Sequence, residues 1–397
     1  MKAQRHPAAL VAGLGAAQLV AWGTLYYAIA VLGAPIGAEL GLSSGQVFGA
    51  FAWSMLVSGA LAPWAGRTLD RVGGRALLIG SAVVGASAFL ALARVHSLIA
   101  LIGAWSLGGL AMALGLYDTC FAAIGQAVPG SYRRIVTGVT LVAGFASTVS
   151  WPATHYLDRW MGWRATCHAY AAALLSCAAL YALVLPDVGA CASSPARHVP
   201  LAVSAAVRRR ARLLAWAFAG TAVVAASMSA HLVGVLMALE VPSEDAVWIA
   251  ASIGVMQVAG RVLELLFGGS VSPVRLGFVT FVGLLLAMLL LALVGRFAIL
   301  VFAFAFIYGL SNGLLTIAKA TLPVEMFGLA NVGAVLGSFS APSLVTRAFA
   351  PFGFAVAMGS LGSELAVSAL VAVSLAACAA YAAATHSPAQ SAASDQA

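Results

Sequence analysis

Four ionisable residues stand inside long apolar runs, where a charge is costly and is retained for a purpose. Arg261 closes the segment Gln257-Val258-Ala259-Gly260-Arg261. A guanidinium keeps its charge and can grip a carboxylate through two parallel hydrogen bonds, so this position suits an organic anion. Gln257 lies one helical turn earlier and on the same face. The competing reading pairs Arg261 with Glu264, three residues on, at the membrane edge. Arg347, in Ser343-Leu344-Val345-Thr346-Arg347, is a second cation that either faces the same interior or extends its head to the outer headgroups. Asp118, in Leu116-Tyr117-Asp118-Thr119-Cys120, can serve as a proton carrier, as a fixed counter-ion to an arginine, or as a structural group. His231 is the titratable group of its own apolar run; it offers a protonation switch, set against a packing histidine. Gln18, Trp22 and Tyr26 recur every four residues, with Tyr27 beside them, so a helix would stack them on one face. Such a stripe lines a cavity or packs against a neighbouring helix, and Thr148, Trp151 and Pro152 form a weaker version of it.

The elements that must position these residues are membrane helices. Of 397 residues, 62% are hydrophobic and 8% charged, against about 25% charged in a soluble protein. Apolar runs near the roughly 20 residues that cross a bilayer recur throughout. They predict spans at 8–36, 46–65, 76–94, 98–127, 135–156 and 165–185, then at 213–238, 246–268, 275–295, 297–318, 330–354 and 362–383. The expected organisation is an N-terminal six-helix half (1–186), a linker (187–212), a C-terminal six-helix half (213–384) and a disordered tail (385–397). The first apolar stretch is too long for a signal peptide and reads as an uncleaved span. Fifteen of the 20 Lys and Arg fall on the linker side or on adjoining helix ends. The positive-inside rule then places both termini in the cytoplasm. The net charge of +8 is spread over interhelical gaps without interleaved aromatics, which argues against nucleic acid as a partner. The five cysteines have no paired spacing, so neither disulfide nor metal is expected.

Between the second and third spans the chain reads Gly66-Arg67-Thr68-Leu69-Asp70-Arg71-Val72-Gly73-Gly74-Arg75. This resembles the signature loop of the major facilitator superfamily, and the resemblance in architecture extends over residues 8–383. It implies an all-α membrane protein of twelve transmembrane helices in two six-helix halves. It also implies that Gly66, Asp70, Arg71, Gly73 and Arg75 form a conformational latch, with Gly66 and Gly73 supplying a tight turn. The corresponding stretch of the second half, around Gly268 to Arg275, lacks the Asp-Arg pair. Gln257 and Arg261 resemble the Asp-then-Arg spacing in the eighth span of monocarboxylate transporters, with Gln257 in place of the acid. The arginine is similar to one in bacterial oxalate–formate antiporters, which also carry a cation in the eleventh span, where Arg347 lies. The fifth span lacks the Gly-Pro-x-x-Gly-Gly element of drug–proton antiporters.

These residues lead to one expectation: a secondary transporter of a small organic anion, a carboxylate, in a bacterial inner membrane. Arg261, Gln257, Arg347, Gln18, Trp22 and Tyr26 would bind substrate, and Asp118 and His231 would couple it to protons. The protein would act as a monomer among lipids, without a cofactor. Proton-coupled efflux of drugs or another toxic solute is the alternative. No HExxH, G-x-S-x-G or Walker element supports an enzyme.

Overall fold

Apolar sequences that must satisfy their own backbone in lipid form helices, and helices account for the whole architecture. The structure, a computed structural model, describes residues 7–186, 205–328 and 332–385. The N-terminal half contains α1 (Pro7–Trp22), a π-helical turn (Gly23–Tyr27), α2 (Ile29–Leu40), α3 (Ser44–Val72) and α4 (Gly74–Leu92). It continues with α5 (Leu98–Gly115), α6 (Tyr117–Ala127), α7 (Tyr132–Ala143) and α8 (Ala146–Val184). The C-terminal half contains α9 (Ala205–Ala238), α10 (Ser243–Phe267), α11 (Pro273–Leu293), α12 (Leu300–Phe327), α13 (Val332–Leu361) and α14 (Ser363–Thr385). Among the described residues, eleven helical stretches are long and apolar enough to cross a membrane, and one of them, Pro129–Val184, runs 56 residues. That stretch turns back at Gly162, whose φ of 79° suits glycine, so it is two spans and the described residues hold twelve.

Two boundaries differ from the sequence expectation. The basic cluster Arg208 to Arg212 belongs to helix α9, which begins at Ala205; the Arg210 Nε donates to the Ala384 carbonyl at 2.8 Å. Helix propensity and this docking on the last span extend the seventh span into the predicted linker. Residues 187–204 and 386–397, the rest of the predicted linker and all but the first residue of the predicted tail, lie outside the described residues. The signature segment also differs from a loop. Helix α3 runs through to Val72, so Gly66 is buried in mid-helix and Asp70 lies in the last turn. Gly73 alone makes the turn, with a φ of 89°. Helices α3 and α4 are continuous on either side of it because no other residue there needs to leave helical geometry.

The halves meet unequally at their two ends. On the linker side one hydrophobic core contains Leu14, Leu69, Tyr132 and Ile135 from the N half together with Ala320 and Leu336 from the C half. On the far side each half keeps its own core, one around Leu32, Phe89 and Leu174, the other around Leu236, Met288 and Phe304. Helices α3 and α13 pack so closely that a methyl group on Gly337 would lie 2.4 Å from the Ala62 carbonyl oxygen.

Polar bonds close the same end. The Arg133 Nε donates to Glu264 Oε1 at 2.8 Å, and Thr137 donates to Glu264 Oε2 at 2.5 Å. Arg133 also donates to the Val271 carbonyl, and the Tyr132 hydroxyl to the Ala320 carbonyl at 3.0 Å. Glu264 therefore turns across to α7 instead of pairing with Arg261 on its own helix. Its side chain is only 3% exposed and that of Arg133 is 23% exposed. Removing one member of a buried pair strands the other, at a cost of about 3 kcal/mol or less where one partner still reaches water.

Glu264→Gln should therefore open the linker-side end, lowering the closed population by up to about a hundredfold. Spin labels at positions 134 and 265 should move to longer distances in this variant. A distance distribution identical to that of the parent would rule out Glu264 as part of the closure.

Candidate functional site

Because the halves separate toward the far side, a cavity of about 830 Å³ opens between them. Among the described residues four charged side chains line it: Asp118 from the N half, and Arg261, Lys319 and Arg347 from the C half. Three cations against one acid leave it net positive.

Asp118 is brought there by a broken helix. The fourth span interrupts at Leu116, whose backbone is extended (φ −76°, ψ −171°), and restarts as α6 at Tyr117. The break frees backbone carbonyls that lipid cannot satisfy, and side chains take them up. Gln18 Nε2 donates to the Gly115 carbonyl at 2.7 Å and Thr119 donates to the Ala113 carbonyl at 2.8 Å. Helix α6 thus begins at the cavity wall, with the positive end of its dipole there. Asp118, in its first turn, faces Lys319 of α12 with an Oδ1–Nζ separation of 3.4 Å.

The first span supplies the rings. A π turn over Gly23–Tyr27 departs from the regular helical period, so consecutive Tyr26 and Tyr27 both reach the cavity along with Trp22. A methyl group at Gly23 would collide with Ser150 Oγ at 2.0 Å, which shows how tightly this turn is pressed against the fifth span. Trp22 contacts Tyr117 at 4.9 Å and Tyr26 at 5.3 Å between ring centroids, and Tyr27 contacts Trp151 at 6.0 Å.

Arg261 reaches across from the C half. It is 7% exposed, and its Nε is buried with no hydrogen-bond partner among the described residues. Its guanidinium lies against the backbone of Gly144, where a methyl group would sit 2.1 Å from Nη1. Helix α10 can hold it there because it packs directly on α12: a methyl group on Gly313 would meet the Gln257 carbonyl oxygen at 2.3 Å. Both Arg261 and Arg347 lie within electrostatic reach of the Tyr27 hydroxyl.

Of the residues singled out in the sequence, the cavity gathers Arg261, Gln257, Arg347, Trp22, Tyr26, Asp118, Thr148 and Trp151. It does not gather Gln18 or His231. Gln18 is fully buried inside the N half, its amide nitrogen shared between Gly115 and the Tyr181 hydroxyl, so it supports the broken helix and does not line the cavity. His231 bonds the Pro351 carbonyl through Nε2 at 2.9 Å and so ties α9 to α13. Sequence reasoning missed Lys319, which had been counted as a topology signal at a helix end. The apolar run continues past it through Leu322 and Pro323, and that continuation was the available clue.

The sequence profile described as Major Facilitator Superfamily matches residues 14–351. No curated protein matches the chain in sequence. Among solved structures, the human organic anion transporter MFSD10 (TETRAN) superposes with a TM-score of 0.73 at 14% identity, over 95% of this chain and 100% of that one. The proton:xylose symporter XylE, bound to 6-bromo-6-deoxy-D-glucose, superposes with a TM-score of 0.74 at 13% identity, over 94% of each chain. Identities this low establish the common fold.

Replacing Gln18 by Leu should strand the Gly115 carbonyl and destabilise the fourth-span break by about 1–3 kcal/mol. Thermal unfolding of the purified variant in detergent should show a lower midpoint than the parent. An unchanged midpoint would mean that the break at Leu116 supports itself.

Proposed function

The chain belongs to the major facilitator superfamily of membrane transporters, and from that premise we propose that it moves a small organic anion, a carboxylate, by alternating access. The observation that carries the proposal is Arg261, 7% exposed, whose buried Nε has no hydrogen-bond partner among the described residues. Leaving a charge without a partner in a low-dielectric interior costs several kcal/mol. A substrate carboxylate bound through the Arg261 fork recovers that energy, whereas a neutral or cationic solute does not. The net positive lining supports the same sign of substrate, and Gln257 and Arg347 complete the binding group.

With the termini placed in the cytoplasm, as the distribution of Lys and Arg favours, the present conformation is open to the outside. The anion would enter from that face and meet Arg261 near the level where α5 gives way to α6. Neutralising Arg261 removes the charge that resists closure of the far side around it. Breakage of the Arg133–Glu264 and Thr137–Glu264 bonds would then open the linker side. We assign the latch role to Asp70, Arg71, Gly73 and Arg75, which stand at that same end on α3 and α4, with Gly66 facing the cavity above them.

Asp118 carries the proposed proton coupling. Protonating it would release Lys319, and an arriving carboxylate would compete for the same ammonium. His231, engaged with Pro351, has no comparable geometry. Export of a hydrophobic cation is the competing reading, and it needs Asp118 as a free acid; the Lys319 contact argues against that.

Uptake of carboxylates into proteoliposomes tests these assignments. Arg261→Lys retains the charge but loses the planar fork, and transport should fall about tenfold; Arg261→Ala should abolish it, with folding checked by thermal unfolding. Normal transport by both variants together with a dead Asp118→Asn would transfer the site to the cation-export reading.

A further inference from the structure

The two walls of the cavity differ in chemistry. The cations Arg261, Lys319 and Arg347 all come from the C half. The N half contributes a connected set of rings, Trp22, Tyr26, Tyr27, Tyr117 and Trp151. A small hydrophilic anion would use the first wall and leave the second bare. We propose that the transported anion is an aryl carboxylate, its carboxylate on Arg261 and its ring against Trp22, Tyr27 and Tyr117. This deepens the organic-anion reading of the same site and rests on it.

Three observations support the assignment. The rings interact with one another in tilted and edge-to-face pairs, Tyr26 with Tyr27 at 5.1 Å and 85° and Trp22 with Tyr117 at 4.9 Å and 47°, while one face of Tyr117 stacks on Phe121. Aromatic pairs favour such tilted and edge-to-face contacts at these separations. Arg261 is also placed beneath the ring wall, because its guanidinium crosses to Gly144 and lies within electrostatic reach of both Tyr117 and Tyr27. A carboxylate held there has its organic part at the rings, while Lys319 is already engaged by Asp118. At about 830 Å³ the cavity falls within the range of sites that enclose drug-sized ligands. Such a ligand touches both halves at once, carboxylate on one and ring on the other, so its binding draws them together.

Binding to the purified full-length protein, measured by calorimetry and by thermal stabilisation, tests this with phenylacetate, cyclohexylacetate and succinate. Phenylacetate should bind about five- to tenfold more tightly than cyclohexylacetate, which matches its size and charge without the aromatic ring. Succinate should bind more weakly than either. Tyr117→Leu should erase the difference between the first two acids while retaining both. Equal affinity for phenylacetate and cyclohexylacetate in the parent protein, or tighter binding of succinate, would overturn the aryl assignment and leave the anion reading standing. Binding of tetraphenylphosphonium with no binding of any carboxylate would overturn both, as would the absence of carboxylate binding at millimolar concentration.

Discussion

A largely buried guanidinium, with no ion-pair partner among the described residues, is the constraint around which this structure is arranged. Arg261 is 7% exposed, and the nearest acid on its helix, Glu264, is committed to Arg133 and Thr137. A protein tolerates such a charge only by surrounding it with backbone and rings that fit it and by using it. Glycine at 144 lets the side chain cross between the halves, and the close approach of Gly313 to Gln257 fixes the helix that bears it. The rest of the cavity follows from this placement: a positive lining, an acid paired in advance with Lys319, and rings opposite.

The irregular backbone lies where the chemistry is. The π turn in the first span and the break at Leu116 in the fourth both sacrifice regular helical bonding within a span. In lipid that sacrifice is stable only if side chains or a cavity accept the freed groups. Gln18, Thr119 and Ser81 do so, the last donating to the Ala111 carbonyl at 2.9 Å. The broken spans thus carry the rings and Asp118, and the continuous helices α10, α12 and α13 carry the cations.

The two ends of the molecule are asymmetric for the same physical reason. The linker-side end is closed by a core common to both halves and by a buried ion pair, and the far end has two separate cores. A buried ion pair adds little net stability because desolvation offsets its attraction, yet losing one partner is costly. That combination suits a contact that must be firm when made and can be exchanged for water when the end opens. In the reading we favour, alternation between the two ends is a transfer of such contacts from one face to the other.

Much of this was legible in the sequence, and the reason is the solvent. A bilayer imposes apolar runs of fixed length, so twelve spans, the two halves and the ionisable residues inside them could be read from composition and spacing. Arg261, Asp118, Trp22 and Tyr26 could be singled out because a charge or an aromatic stripe in such a run is conspicuous by itself. What one dimension cannot carry is the partner. Glu264 stands three residues from Arg261 in sequence, yet folding turns it toward a residue 131 positions away. Lys319 resembled a topology signal until α12 placed it against Asp118. Gln18 shared a helical period with Trp22 and Tyr26, but it lies in the regular helix before the π turn and is engaged by the Gly115 carbonyl at the broken fourth span. Membrane hydropathy is a local property, summed along the chain and visible there. Pairing of charges is a long-range property, decided by which helix faces the packing of small residues brings together.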